Sequence, residues 1–141
     1  MTRLMLIPAL ASALALTTMW TGRAQQPAGA VPPRFTGTST TMDGKDLTIA
    51  RRRFEPAART YWHSHDRGQL LMVERGQMRT QKRGQSMAEL GVGASDYTAP
   101  NIVHWHGASP DQALVQINAG FGGAAQWFEE VTADQYAGKA R

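Results

Sequence analysis

His63-Ser64-His65-Asp66-Arg67-Gly68-Gln69-Leu70-Leu71-Met72-Val73-Glu74-Arg75-Gly76 is the stretch on which the reading of the fold turns. A β-type run over Arg59–His65 stops at the turn signal Asp66-Arg67-Gly68, and a second run, Gln69–Arg75, stops at Gly76. Alternate side chains of a strand share a face, so His63 and His65 stand side by side. Gln69 lies four residues beyond His65, and a tight turn brings its side chain back beside the pair.

The same alternation of short runs and turns extends in both directions. Upstream are Phe35–Thr41, a turn at Asp43-Gly44, and Leu47–Phe54 ending at Glu55-Pro56. Downstream are Gln77–Lys82, Ser86–Leu90, Ser95–Ala99, Ile102–Ala108 and Ala113–Ala119. Many short strands punctuated by Gly and Pro give an all-β class, a sandwich or a barrel. Only the end reads as helical. Thr132 is an N-cap for Ala133-Asp134-Gln135-Tyr136, and Trp127 and Phe128 are placed to dock that segment on the sheet. There is no internal repeat and no second domain.

Composition narrows the function. The chain has 141 residues, 42% of them hydrophobic, which makes one core and excludes a disordered chain. It has no Cys, which excludes a disulfide scaffold, a cysteine zinc site, an iron–sulfur centre and a thiol nucleophile. The only basic run, Arg51-Arg52-Arg53, has no interleaved aromatic ladder, so no nucleic-acid partner is expected.

Arg3 followed by the uncharged Leu4 to Trp20 and the small-x-small triplet Gly22-Arg23-Ala24 has the pattern of a secretory signal peptide over residues 1–24. An uncleaved anchor and a later cut after Ala28-Gly29-Ala30 are the alternatives. A cut after Ala24 removes Arg3 and Arg23 and lowers the formal charge from +4 to +2. Residues 25–33 read as a flexible lead-in and 34–141 as the folded domain. A periplasmic or secreted protein with no stable membrane association is expected after cleavage.

All four histidines fall in His63-Ser64-His65 and His104-Trp105-His106. The first imidazole pair, the Gln69 amide oxygen and a ligand from the second cluster suit a first-row divalent metal, octahedral with two positions open. One such pair on a strand is weak; two pairs holding every histidine of the chain make a metal site the favoured reading over exposed, unconnected rings.

These residues resemble the two cupin motifs. Phe54-Glu55-Pro56 through His63-Ser64-His65, Gln69 and Gly76 is similar to the first motif. Gly93 through Ala99-Pro100-Asn101-Ile102-Val103-His104 is similar to the second, with Asn101 where the family usually has Gly. The resemblance covers most of the chain beyond the leader and implies a single cupin barrel, or jelly roll, with a short C-terminal helix. It also implies one divalent metal held by His63, His65, Gln69 and His104. Gln69 stands where most metal cupins have Glu. That Gln, the run His104-Trp105-His106-Gly107-Ala108 and the end Trp127…Val131-Thr132-Ala133-Asp134-Gln135-Tyr136 are similar to small bacterial cupins that include the manganese-dependent (R)-hydroxynitrile lyases. Manganese is the metal this implies; iron, nickel and zinc suit the same ligands. The lyases carry a further pocket His at the position of Gln116 and a small apolar residue at the position of Arg52. The family also implies a homodimer or higher homo-oligomer.

The candidate roles follow. A Gln in place of a carboxylate leaves a divalent ion's charge at about +2, which suits a Lewis acid that meets a small-molecule hydroxyl, alkoxide or cyanide; the alternative is a weakened metal site. His106, two residues beyond His104 on the same face, is the candidate catalytic acid/base, or else a histidine hydrogen-bonded within the barrel. Gln116 is a second catalytic candidate that would orient substrate or water, against plain polar packing. Arg52 shares strand parity with Ala50 and Phe54, which makes Arg52 and Ala50 candidate substrate contacts. Arg52 either clamps a carboxylate or is solvated with Arg51 and Arg53, and solvation is favoured. Tyr61 shares the parity of His63 and shapes the pocket. Trp105 points to the opposite face. Three functions compete: a lyase, another cupin enzyme (a dioxygenase or decarboxylase-like enzyme on an anionic small molecule), and a non-enzymatic periplasmic metal or ligand binder.

Overall fold

The computed structural model describes residues 35–140. The leader over 1–24 and the lead-in over 25–33 lie outside the described residues. Two compact units divide at Thr41 and Met42. In the first, residues 35–41 take no regular structure, so the strand expected over Phe35–Thr41 does not form. The reason is local: Thr36-Gly37-Thr38-Ser39-Thr40-Thr41 offers no apolar alternation to bury, and Phe35 is 73% exposed.

The second unit holds nine strands and a helix in the order β1 (Thr48–Phe54), β2 (His63–His65), β3 (Gln69–Arg75), β4 (Met78–Lys82), β5 (Ala88–Leu90), β6 (Ser95–Thr98), β7 (His104–Ala108), β8 (Leu114–Gly120), β9 (Ala125–Trp127) and α1 (Ala133–Tyr136). They form two antiparallel sheets, β1-β8-β3-β6 and β5-β4-β7-β2-β9. The chain passes repeatedly from one sheet to the other, so neighbours in sequence supply opposite walls. The turn before β1 is centred on Lys45-Asp46, two residues later than expected, and closes with Leu47 N–H donating to Gly44 O at 3.0 Å.

Two apolar clusters result. Leu71, Val73, Met78, Ala108 and Leu114 fill the space between the sheets, with Phe54 and Leu90 packed against them. Trp62, Trp105, Val131 and Tyr136 form a second cluster on the outer face of the five-stranded sheet. That cover explains why every residue of β7 is buried: His104, His106 and Ala108 face inward, while Trp105 lies under the C-terminal segment. Trp105 Nε1 donates to Gln81 Oε1 at 2.9 Å, which meets the need of a buried indole N–H.

The helix begins as expected. Thr132 and Gln135 form a reciprocal capping box. Its docking differs from expectation. Tyr136 holds it, with the hydroxyl donating to Ala108 O at 2.8 Å and the Arg59 guanidinium 4.5 Å from the ring centroid. Trp127 does not dock it; Trp127 is 62% exposed on β9, a strand the sequence did not announce.

Candidate metal centre

The two sheets bring the site together from opposite sides. β2 and β7 are direct neighbours, and His63 and His104 are cross-strand partners. From the other sheet comes Gln69, the first residue of β3. The three-residue link Asp66-Arg67-Gly68 is tight, with Gly68 N–H donating to His65 O at 3.3 Å and Gly68 at a φ of 81°. A Cβ at Gly68 would lie 2.6 Å from Thr98 O, so this turn requires glycine. The second cluster is tied to the first by Asn101, whose N–H donates to His65 O at 2.8 Å. Asn101 has a φ of 63°, a left-handed conformation that Asn tolerates better than most residues, which accounts for its standing where Gly is usual.

The four imidazoles form one cluster. Ring centroids lie 4.3 Å apart for His63 and His104, 5.1 Å for His63 and His65, 5.7 Å for His65 and His104, and 5.2 Å for His63 and His106. Ring nitrogens of His63, His104 and His106 lie within 4.8 Å of one another, a grouping able to hold a metal ion. The Gln69 side chain meets this cluster, with Oε1 3.0 Å from His104 Nε2.

Tautomers sort these rings. His63 Nδ1 donates to Tyr61 O at 3.0 Å and His104 Nδ1 to Ile102 O at 3.1 Å, which leaves a lone pair on each Nε2. His65 Nε2 is buried with no partner. His104 Nε2 and Gln69 Oε1 are therefore two acceptors face to face, and His65 Nε2 is a third unmatched atom. A divalent cation among them satisfies all three, so the residues present fit a metal. His106 differs. Gln116 Nε2 lies 3.1 Å from His106 Nδ1 and 2.6 Å from Asn118 Oδ1, and its two protons serve both acceptors. That places the proton of neutral His106 on Nε2, which makes it a donor rather than a ligand in this arrangement.

Burial holds the rings neutral. It is the largest cause in lowering His63 and His104 to about 4, with the His104 ring adding to the effect on His63. Burial also lowers His65, and burial followed by His63 and His104 pushes His106 well below the ordinary imidazole range. Unfolded imidazoles titrate near 6.5. Between about 6.5 and about 4 the unfolded chain thus binds more protons than the folded one. The metal-free protein should lose stability as pH falls through that window and hold a plateau above it. Urea midpoints measured at several pH values check this, and a flat profile across the window contradicts it.

A cavity of about 430 Å³ opens beside the histidines, flanked by Phe54 and Trp127 and reached by Tyr61 and Arg52. Trp127 stacks on His63 with centroids 4.7 Å apart, and Phe54 meets His106 edge-on at 5.8 Å. A smaller recess of about 200 Å³ holds Ala50 and shares His65, Gln69 and Asn118 with it. Gln116 is fully buried and touches His106 rather than the cavity. Arg52 is exposed, in keeping with the preference for solvation, and it also lines the cavity. Sequence reasoning missed Asn118, Thr60, Arg59 and Trp127. Parity with Gln116 on β8 was signal enough for Asn118; Thr60, whose Oγ1 accepts from His106 N–H at 3.1 Å, offered none.

Comparison with known proteins agrees with this fold. No family model matches the chain. An (R)-mandelonitrile lyase of Granulicella tundricola is 40% identical over 86 residues, 59% of this chain and 66% of that protein, so the chain spans just under two thirds of that relative. A cupin-like protein of Thermotoga maritima, known from its crystal structure, is 41% identical with a TM-score of 0.64, over 67% of this chain and 74% of that one. A DMSP lyase of Ruegeria pomeroyi shares the fold at 14% identity and a TM-score of 0.53, over 58% of this chain and 43% of that one.

Proposed function

The chain belongs to the cupin family, and from that premise we propose that it is a metal-dependent carbon–carbon lyase of the (R)-hydroxynitrile type, cleaving and forming cyanohydrins such as mandelonitrile. The observation that carries this is a cluster of uncharged donors, with ring nitrogens of His63, His104 and His106 within 4.8 Å of one another and the Gln69 amide facing His104 Nε2. The similarity to the (R)-mandelonitrile lyase of Granulicella tundricola supports the same reaction.

His63, His65, Gln69 and His104 are the ligands this reading assigns, and manganese is the ion. Bound there without a carboxylate ligand, a divalent ion supplies Lewis acidity toward a substrate oxygen. His106 handles the proton. To take it from the cyanohydrin hydroxyl, His106 must carry its own proton on Nδ1 and present a bare Nε2. Reversing the Gln116 amide together with that of Asn118, whose Oδ1 it now serves, brings the buried, partnerless Gln116 Oε1 to His106 Nδ1 as the acceptor for that form. As the bond between the carbinol carbon and the nitrile carbon breaks, the carbinol oxygen becomes the aldehyde carbonyl. Cyanide leaves with the bonding pair, and His106 returns the proton to it. Gln116 acts through His106 and is a positioning residue. Phe54 and Trp127 flank the cavity with aromatic surface suited to an aryl substituent.

The manganese-loaded protein should release benzaldehyde and cyanide from (R)-mandelonitrile. His106→Ala should lose about 100-fold or more of that rate while keeping its manganese. Normal turnover in the variant removes His106 from the mechanism. Tight metal retention with no release by the parent protein points instead to a metal-binding role.

A further inference from the structure

Three consecutive arginines occupy β1, and the structure treats the middle one differently. Arg51 Nε donates to Glu74 Oε2 at 2.7 Å, and Arg53 donates to both carboxylate oxygens of Glu55 at 2.7 and 3.0 Å. Both are committed to acidic partners on the outer face. Arg52 has the opposite parity, pairs in register with the buried Gln116, and lines the cavity. Among the described residues no carboxylate pairs with it.

The cavity lacks acidic groups altogether. Arg52 and Arg59 both line it, and neither Asp nor Glu does. The Arg59 Nε is buried without a partner, while its terminal nitrogens donate to Ala57 O and Val131 O. The Arg59 guanidinium is thus turned to the Tyr136 ring and backbone carbonyls, which leaves the Arg52 guanidinium as the positive group without counter-charge at the recess, beside a site suited to a divalent cation. A neutral aryl substrate would leave the Arg52 charge facing an apolar ring. A substrate anion would meet it with parallel N–H donors.

We infer that Arg52 is the specificity-determining residue of this cavity and selects substrates that carry a carboxylate besides the carbonyl or hydroxyl group. In the hydroxynitrile reaction the class is an aryl aldehyde, or its cyanohydrin, bearing a carboxylate on the ring. The inference rests on the lyase reading for the carbonyl end of the substrate and on Arg52 alone for the other end. Because Arg52 is partly solvated, its preference is moderate, about tenfold in affinity, and shrinks as ionic strength rises.

The test is equilibrium binding, separate from turnover. Benzaldehyde and the three formylbenzoate isomers are titrated by calorimetry into the manganese-loaded protein and into Arg52→Leu and Arg52→Lys. Unchanged manganese content and melting temperature establish that each variant is folded. At least one formylbenzoate should bind the parent about tenfold more tightly than benzaldehyde. Arg52→Leu should erase that ratio, and Arg52→Lys should keep part of it. Equal affinities in the parent, no binding of any of the four, or a preference that survives Arg52→Leu (a carboxylate held by the metal) would each overturn the inference. Cyanide release is assayed in parallel. A carboxylate preference without release from any cyanohydrin sinks the lyase reading and leaves the role of Arg52 standing.

Discussion

Replacing His104 by alanine should leave the protein unable to retain manganese and should lower cyanide release from (R)-mandelonitrile by about a thousandfold or more. His104 is fully buried within the cluster, with rings of His63, His65 and His106 at 4.3, 5.7 and 5.9 Å. It also faces the Gln69 amide directly. Its removal takes away one of four donors and leaves Gln69 aimed at an empty volume. A bound divalent ion contributes several kcal/mol to stabilising a developing oxyanion, and about 4 kcal/mol corresponds to three powers of ten in rate. The backbone of β7 keeps its pairing with Lys82 and His63, so far-ultraviolet circular dichroism should be unchanged. A His104→Ala variant that keeps both manganese and turnover contradicts the ligand assignment.

Gly68→Ala should have the largest effect on folding. Gly68 sits at a φ of 81°, which costs an L-residue about 1–2 kcal/mol before any contact is considered. The added methyl would lie 2.6 Å from Thr98 O and 3.3 Å from Pro100 N, both backbone atoms that cannot swing aside. Together these should lower stability by about 2–4 kcal/mol, read as a shift in the urea midpoint. The same turn sets Gln69 against His65, so manganese affinity should fall with stability. Parent-like values of both would show that the turn can relax without moving the ligand.

Much of this fold was legible because the signals are local and periodic. β3 runs over Gln69–Arg75 as read, since Gly68 and Gly76 stop it at both ends and its inward positions Leu71 and Val73 alternate with outward ones. Thr132 and Gln135 carry a capping signal strong enough to locate a helix of four residues. The pairing of His63 with His104 was foreshadowed by the two His-x-His runs, although no local rule states which strands become neighbours. The features that were not legible depend on distant partners. The run expected over Arg59–His65 keeps only His63–His65 as strand, because Arg59 meets β7 at a single bridge to Gly107. β9 is three residues beside a Gly-rich turn, and its edge position on β2 is set by tertiary packing. Arg52 looked solvated from its charged neighbours. Strand parity already set it apart from Arg51 and Arg53, but that these two are held by Glu74 and Glu55 while Arg52 has no such partner depends on contacts that no local signal announces.

The proposed chemistry requires donors from two facing sheets to meet at one divalent ion. Pulsed electron paramagnetic resonance of the metal-free protein titrated with manganese tests it most directly. One ion per chain should bind, with nitrogen couplings from three imidazoles, one of them lost in His104→Ala. An ion that is not retained, or one retained without imidazole nitrogen in its coordination, would contradict it.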